Sequence, residues 1–231
     1  MYFPFGSSPF GLTPPSLRDG PPAIEPRVLR PSGEIHSTTK RTDRIMKNLA
    51  VFASGTGSNF EAIADACADG RLDARVALMV CDKPGAAVIA KAESRGIQTF
   101  VFNPKSYPSK AAYEAEIVRL LDANKVDLVC LAGYMRIVGD VLLKAYEGRI
   151  INIHPSLLPA FKGAHAVEDA LAYGVKVLGV TIHYVNSDLD GGRIIAQKAY
   201  EYDGDDAGEA HRLGHEIEHK LYVETIAKLL K

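Results

Sequence analysis

Two residues apart in the stretch INIHPS, Asn152 and His154 place an amide donor and an imidazole on one face of what the alternation makes a strand. Such a pair can hold one oxygen between them, as the tetrahedral oxyanion of acyl transfer demands. Pro155 keeps His154 out of the helical region, so that its ring stays at the strand end. A carboxylate within reach of that ring would favour imidazolium and suit it to act as an acid or an electrostatic clamp. The loop NSDLDGG offers two, Asp190 beside Gly191-Gly192 and its competitor Asp188, and plain turn chemistry is the alternative for either.

A second stretch, SGTGSN, follows an apolar run and opens a helical pattern. Its glycines let backbone approach an anion, and a helix start offers unpaired N–H groups and a positive dipole end, so a phosphate fits there. The stretch is neither G-x-G-x-x-G, since Phe60 stands where the last glycine belongs, nor a P-loop, since no lysine follows. That speaks against dinucleotides and for a small phosphorylated molecule bound at Gly57, Ser58 and Asn59. The blander alternative is a strand-to-helix turn capped by Ser58 or Asn59.

These segments need a frame, and the chain supplies one from Asn48 onward. Short apolar runs at 48–55, 74–82, 97–103, 126–133 and 149–154 alternate with helical patterns, which predicts five parallel strands in a Rossmann-like α/β core with crossover helices. Ser109 is placed to cap the long helix that follows the third strand. Two further runs, 177–185 and 192–202, are joined by a turn-rich loop and predict an antiparallel extension of the sheet. A closing helix sets Leu213, Ile217, Leu221 and Ile226 at helical spacing as its inward stripe. Open parallel sheets bind ligands at the carboxyl ends of their strands, and SGTGSN, Gly133-Tyr134-Met135-Arg136, INIHPS and DLDGG all fall at such ends or in their loops.

Composition excludes several classes. The formal net charge is −1, so there is no global field to hold nucleic acid or an anionic membrane. No apolar run approaches the roughly 20 residues needed to span a bilayer. Cys67, Cys81 and Cys130 are an odd number without C-x-x-C spacing, which points to a reduced, cytoplasmic setting. Eight of the 13 prolines fall within residues 1–45, where periodicity is lacking. That stretch is expected to be a disordered extension ahead of a single folded unit, 46–231. His211, His215 and His219 recur every four residues, formally a metal-ligand spacing, but the interleaved Glu216 and Glu218 predict a solvated face and no metal.

The motifs FASGTGSNFEAI, LAGYMRIV, INIHPSLLPAFKG and VTIHYVNSDLDGGRIIAQ, in this order, resemble the folate-dependent phosphoribosylglycinamide formyltransferases over about residues 47–229. The resemblance implies the formyltransferase fold and transfer of a formyl group from 10-formyltetrahydrofolate, as co-substrate, to the amine of glycinamide ribonucleotide in purine biosynthesis. It implies that Asn152, His154 and Asp190 are the catalytic trio and that Gly57, Ser58 and Asn59 bind the ribonucleotide phosphate. Lys110, Met135, Arg136, Ile137, Val138, Asn152, Asn186 and Asp190 would contact folate, and His183 would stand behind them. Neither a metal nor a covalent enzyme intermediate is implied, and the protein would be a monomer or homodimer. Arg193 departs from the proline that many relatives carry after Gly-Gly, which puts the conformation of that loop in question. The rivals are a formyltetrahydrofolate deformylase or a sugar-amine formyltransferase, in which SGTGSN is not expected. A non-catalytic nucleotide- or folate-binding module is the rival of another class.

Overall fold

The computed structural model describes residues 27–29 and 46–231. Apart from 27–29, the expected extension 1–45 lies outside the described residues.

Eight strands form one sheet: β1 Arg27–Leu29, β2 Lys47–Phe52, β3 Ala74–Cys81, β4 Thr99–Val101, β5 Leu128–Leu131, β6 Ile150–His154, β7 Val177–Tyr184 and β8 Ile194–Glu201. Their order across the sheet is β1-β4-β3-β2-β5-β6-β7-β8. The strands β2 to β6 run parallel, as expected from their unbroken apolar runs, and β7 and β8 continue the sheet antiparallel. One strand had no sequence counterpart: β1 pairs antiparallel with β4 at the far edge.

The helices are α1 Ser58–Ala68, α2 Ala87–Ser94, α3 Lys110–Ala123, α4 Asp140–Ala145, α5 Ala166–Tyr173 and α6 Ala207–Leu229. The Ser109 hydroxyl caps α3 as expected, accepting the Ala112 N–H at 3.2 Å. Alternation along the strands divides the core into two layers. Leu49, Val51, Met79, Cys130, Ile151 and Ile153 pack with Phe60 and Ile63 of α1 and with Tyr222 and Ile226 of α6. On the other face Ala50, Phe52, Val80, Phe100, Val129 and Ile150 meet Tyr113 and Ile117 of α3 and Leu142 of α4.

The inward stripe of α6 differs from the expected one. Its buried residues are Ala210, Gly214, Glu218, Tyr222, Val223, Thr225 and Ile226, while Leu213, Ile217 and Leu221 are only half-buried. The reason is polar. The Tyr222 hydroxyl reaches the carbonyls of Leu131 and Ile151, at 3.0 and 3.3 Å, and the Glu218 carboxylate accepts from the Asn59 amide at 2.7 Å. Those bonds turn the helix so that the tyrosine and the glutamate face the sheet, and small residues at 210 and 214 let it approach closely.

Strand order reverses between β2, whose neighbours β3 and β4 lie to one side, and β5 and β6 on the other. A cleft is expected outside the carboxyl ends of the strands at that reversal.

Candidate active site

The cleft is there, with a volume of about 570 Å³, walled by residues 55–59 after β2, 131–138 at and after β5, Asn152–Pro155 of β6, and the loop 185–190 after β7. Every residue expected at the site lines it except Lys110. Lys110 is the exposed first residue of α3, and its Cε stands where a side chain on Gly139 would meet it, just past the end of the 133–138 loop.

Register places the candidate residues. Asn152 of β6 faces His183 of β7, and His154 faces Thr181. Ile151 and Ile153 go into the core, so Asn152 and His154 share the opposite face. His183 Nδ1 lies 2.8 Å from the Tyr184 carbonyl, which can only accept, so that nitrogen carries the proton. Nε2 of His183 is then the acceptor for the Asn152 amide nitrogen at 3.2 Å, which settles which way the Asn152 amide points. Burial holds the His183 imidazole below its ordinary pKa, against the opposing pull of the Tyr184 carbonyl and of Asp190, in keeping with a neutral ring.

The same reasoning applies to His154. Its Nε2 donates to the Phe161 carbonyl at 2.8 Å, which leaves Nδ1 facing the Asp190 carboxylate at 3.6 Å. That separation is within ion-pair range but too long for a hydrogen bond, so Nδ1 is not committed to Asp190. The other Asp190 oxygen stands 3.7 Å from His183 Nε2, and Asp190 also accepts the Gly163 N–H at 2.9 Å. Asp190, and not Asp188, is therefore the carboxylate that reaches the His154 ring. Asp188 is exposed and closes the turn, its N–H on the Asn186 side chain at 3.0 Å and its carbonyl accepting the Gly191 N–H at 3.1 Å.

The loops around this cluster are fixed by backbone. A Cβ on Gly192 would lie 1.7 Å from the Tyr184 carbonyl oxygen, the atom that orients His183, so only glycine allows the approach. Arg193 holds the same junction: its carbonyl accepts the Tyr184 N–H at 2.9 Å and its guanidinium lies 4.8 Å from the centre of the Tyr184 ring. Beneath the His154 turn, the fully buried Thr181 hydroxyl donates to the Ser156 carbonyl at 2.6 Å. It accepts from the Leu158 N–H at 3.1 Å and the Gln197 amide at 2.9 Å.

At the SGTGSN loop the start of α1 lacks a side-chain cap among the described residues. Gly57 itself is the N-cap, in the left-handed region at φ 78°, and a Cβ there would meet Val88 at 2.5 Å. Neither Ser58 nor Asn59 caps the helix, so its first N–H groups open to the cleft. Asn59 is instead buried and tied to Glu218. His211 and His215 also line this side of the cleft; His215 and Glu216 are exposed, as expected of a solvated face, whereas His219 is half-buried and Glu218 is buried. Glu218 was the residue the sequence concealed. The i, i+4 run of Ala210, Gly214, Glu218, Tyr222 and Ile226 was the signal that it lay inward.

The 133–138 loop is tied to two neighbouring strand ends. The Ser54 N–H donates to the Gly133 carbonyl and the Ser54 hydroxyl accepts the Met135 N–H, each at 3.0 Å. Ser54 donates its own hydroxyl proton to Asp82, whose other oxygen accepts Arg136 Nε–H at 2.8 Å. Cys81 and Cys130 are buried and Cys67 partly so, and burial pushes the thiols of Cys81 and Cys130 up and that of Cys67 to about 11. Among the described residues, no cluster of His, Cys, Asp and Glu could hold a metal ion, and no helix is long and apolar enough to cross a membrane.

A formyl transferase family model matches residues 47–226, and the fold is that of the family. The chain is 55% identical over 186 residues to the phosphoribosylglycinamide formyltransferase of Bacillus subtilis, covering 80% of this chain and 95% of that one. The solved glycinamide ribonucleotide transformylase 1 of Geobacillus kaustophilus superposes with a TM-score of 0.78 at 52% identity, covering 80% of this chain and all of that one. The human trifunctional purine biosynthetic protein adenosine-3 is 35% identical over 88% of this chain, a match that spans 21% of the human protein. The chain belongs to the phosphoribosylglycinamide formyltransferases, within the formyl transferase family.

Gly192→Ala should displace the Tyr184 carbonyl and release His183. The expected result is a fall in thermal midpoint together with a loss of activity, while Gly191→Ala, which meets only the Asp188 side chain closely, should do less. Neutral His183 also predicts a pH dependence. Its pKa is lowered on folding from an ordinary value of 6.5, so the unfolded chain takes up the proton first. Its contribution is complete above that value and is lost as pH falls below it. Thermal midpoints measured between about pH 5 and 7.5 should fall on the acid side. The slope should be shallower in His183→Gln.

Proposed function

We propose that Asn152, His154 and Asp190 carry formyl transfer from 10-formyltetrahydrofolate to the amine of 5-phosphoribosylglycinamide, giving formylglycinamide ribonucleotide and tetrahydrofolate. The observation that supports this most is the convergence of the three on one end of the cleft, with the amide nitrogen of Asn152 fixed by a neutral His183 and Nδ1 of His154 open beside Asp190. The substrate amine attacks the formyl carbon. As the carbon–nitrogen bond forms, the carbonyl oxygen gains negative charge, and the second N–H of Asn152 and the Nδ1 proton of His154 stabilise it. The attacking nitrogen sheds a proton toward Asp190, through one ordered water or directly, and that proton passes to N10 of the departing tetrahydrofolate as its bond to the formyl carbon breaks.

The ribonucleotide phosphate sits on the open N–H groups at Gly57, Ser58 and Asn59, and folate occupies the end lined by Met135, Arg136, Ile137, Val138 and Asn186. Lys110 reaches folate from outside the cleft wall. Direct transfer in a ternary complex asks for no metal and no covalent enzyme intermediate. The catalytic unit is 46–231, a cytoplasmic monomer or homodimer, with residues 1–45 an extension. The deformylase alternative differs in one requirement, since it releases tetrahydrofolate without an amine acceptor.

Supplying 10-formyltetrahydrofolate with and without glycinamide ribonucleotide, and following tetrahydrofolate, decides between them. Release should depend on the amine; release without it would sink the transferase reading. His154→Asn should lower turnover roughly 10²- to 10³-fold with ligand binding largely kept, whereas a pure binding module would be unaffected. Asp190→Asn should cost roughly 10²- to 10⁴-fold in rate and Asp188→Asn little, and the reverse ranking would reassign the partner of His154.

A further inference from the structure

Asp82 lies at the end of β3 and takes no part in the chemistry above. Its side chain is only 6% exposed, and it is absent from the cleft wall. A carboxylate taken out of water is costly unless its oxygens are paired, and here each oxygen has a different partner. One accepts the Ser54 hydroxyl, the residue immediately before Gly55-Thr56-Gly57; the other accepts Arg136 Nε–H at 2.8 Å. Because Ser54 also accepts the Met135 N–H, two successive residues of the 133–138 loop, Met135 and Arg136, hang from this one carboxylate, one directly and one through a hydroxyl. Three strand ends, those of β2, β3 and β5, are joined at a single point.

The far end of the loop is held in the same way. Glu114 of α3, 3% exposed, accepts the Gly139 N–H at 2.6 Å and the Leu142 N–H at 3.4 Å at the start of α4. Val138 is buried and Tyr134 packs edge-on against Phe52, but between them Met135 and Ile137 are 70% and 63% exposed, so packing does little to hold the middle of the loop. Its conformation depends on the anchors.

We propose that Asp82 is a positioning residue that sets the 133–138 loop for the folate co-substrate and ties it to the base of the phosphate loop, so that the two half-sites are held in one geometry. The proposal goes beyond the catalytic trio but rests on the assignment of this loop to folate. Loss of the clamp should weaken co-substrate binding while leaving the reacting groups, which stand on β6 and after β7, in place.

In the full chain, Asp82→Asn keeps an acceptor for Ser54 and removes the charge facing Arg136. It should raise KM for 10-formyltetrahydrofolate about tenfold or more, the size of one charge-assisted hydrogen bond, with kcat at saturation within about threefold and KM for the ribonucleotide moved less. Added to Arg136→Met, it should have little further effect, since the two act through one bond. Unchanged folate KM in a folded Asp82→Asn, a fall in kcat with KM unmoved, or full additivity with Arg136→Met would each overturn the proposal. If Asp82→Asn does not fold, Ser54→Ala decides on the same readout: folate KM should rise, and an unchanged value ends the proposal. Ile137→Ala, in the same assay, tests the loop assignment separately. A rise there with none for Asp82→Asn rejects the clamp and keeps the assignment, whereas no rise in either rejects the assignment itself.

Discussion

The carboxylate of Asp190 is the group to which the rest of the site conforms. It is 10% exposed, and one oxygen accepts the Gly163 N–H while the two face the rings of His154 and His183 at 3.6 and 3.7 Å. A carboxylate so enclosed is costly unless it is paired, and the hydrogen bond it accepts comes from the Gly163 backbone. Two loops far apart in sequence therefore have to arrive together, the one after β6 to bring Gly163 and the one after β7 to bring Asp190. Asp190 itself adopts a left-handed backbone at φ 46°, a conformation that aspartate tolerates better than most residues. Gly192 then lets that loop close against the Tyr184 carbonyl, and the carbonyl in turn orients His183. A conformation adopted for one carboxylate thus propagates to an amide on the neighbouring strand.

Around this centre lies a ring of buried or nearly buried polar anchors that touch elements rather than each other. Glu218 ties α6 to the start of α1 through Asn59, Glu114 ties α3 to the start of α4, and Thr181 ties the turn after His154 to β7. Apolar burial holds the sheet and helices together but is nondirectional, so it would tolerate loops displaced by an ångström or so. Directional bonds from within the core remove that freedom at the strand ends that wall the cleft. The two layers of the core make the fold, and these anchors make its rim precise.

Most of the architecture was legible because its signals are local. Apolar runs, helix stops and the Ser109 cap each reside in a few adjacent residues, and the strands and helices follow them. Asn152 and His154 were legible for the same reason, since a two-residue spacing on a strand fixes their common face. The pairing of His154 with Asp190 depended on resemblance, because it is made by register across β6 and β7 and by a glycine contact that spacing does not encode. The turn of α6 was misread because Leu213, Ile217 and Leu221 satisfy helical periodicity as well as the true stripe does. What selects between the two stripes is a tyrosine bridging two strands and a glutamate bonded to Asn59, partners between 71 and 159 residues away in sequence. Strand β1 has the same kind of origin, being paired across the sheet edge with β4.

The two histidines beside Asp190 show how one carboxylate can serve rings of different character. His183 has its Nδ1 proton committed to a backbone carbonyl and its Nε2 lone pair committed to Asn152. Protonating Nε2 would turn the Asn152 contact from donor–acceptor into donor–donor and release the amide, so the contact holds only while this ring is neutral. Burial keeps it so, despite the pull of Asp190. In His154 the commitments are reversed. Nε2 donates to the Phe161 carbonyl, so any proton gained goes to Nδ1, toward both the carboxylate and the cleft. The two rings therefore differ in role because they are given different backbone carbonyls. Tyr184 makes His183 a fixed acceptor for an amide, and Phe161 leaves Nδ1 of His154 as the nitrogen that turns toward Asp190.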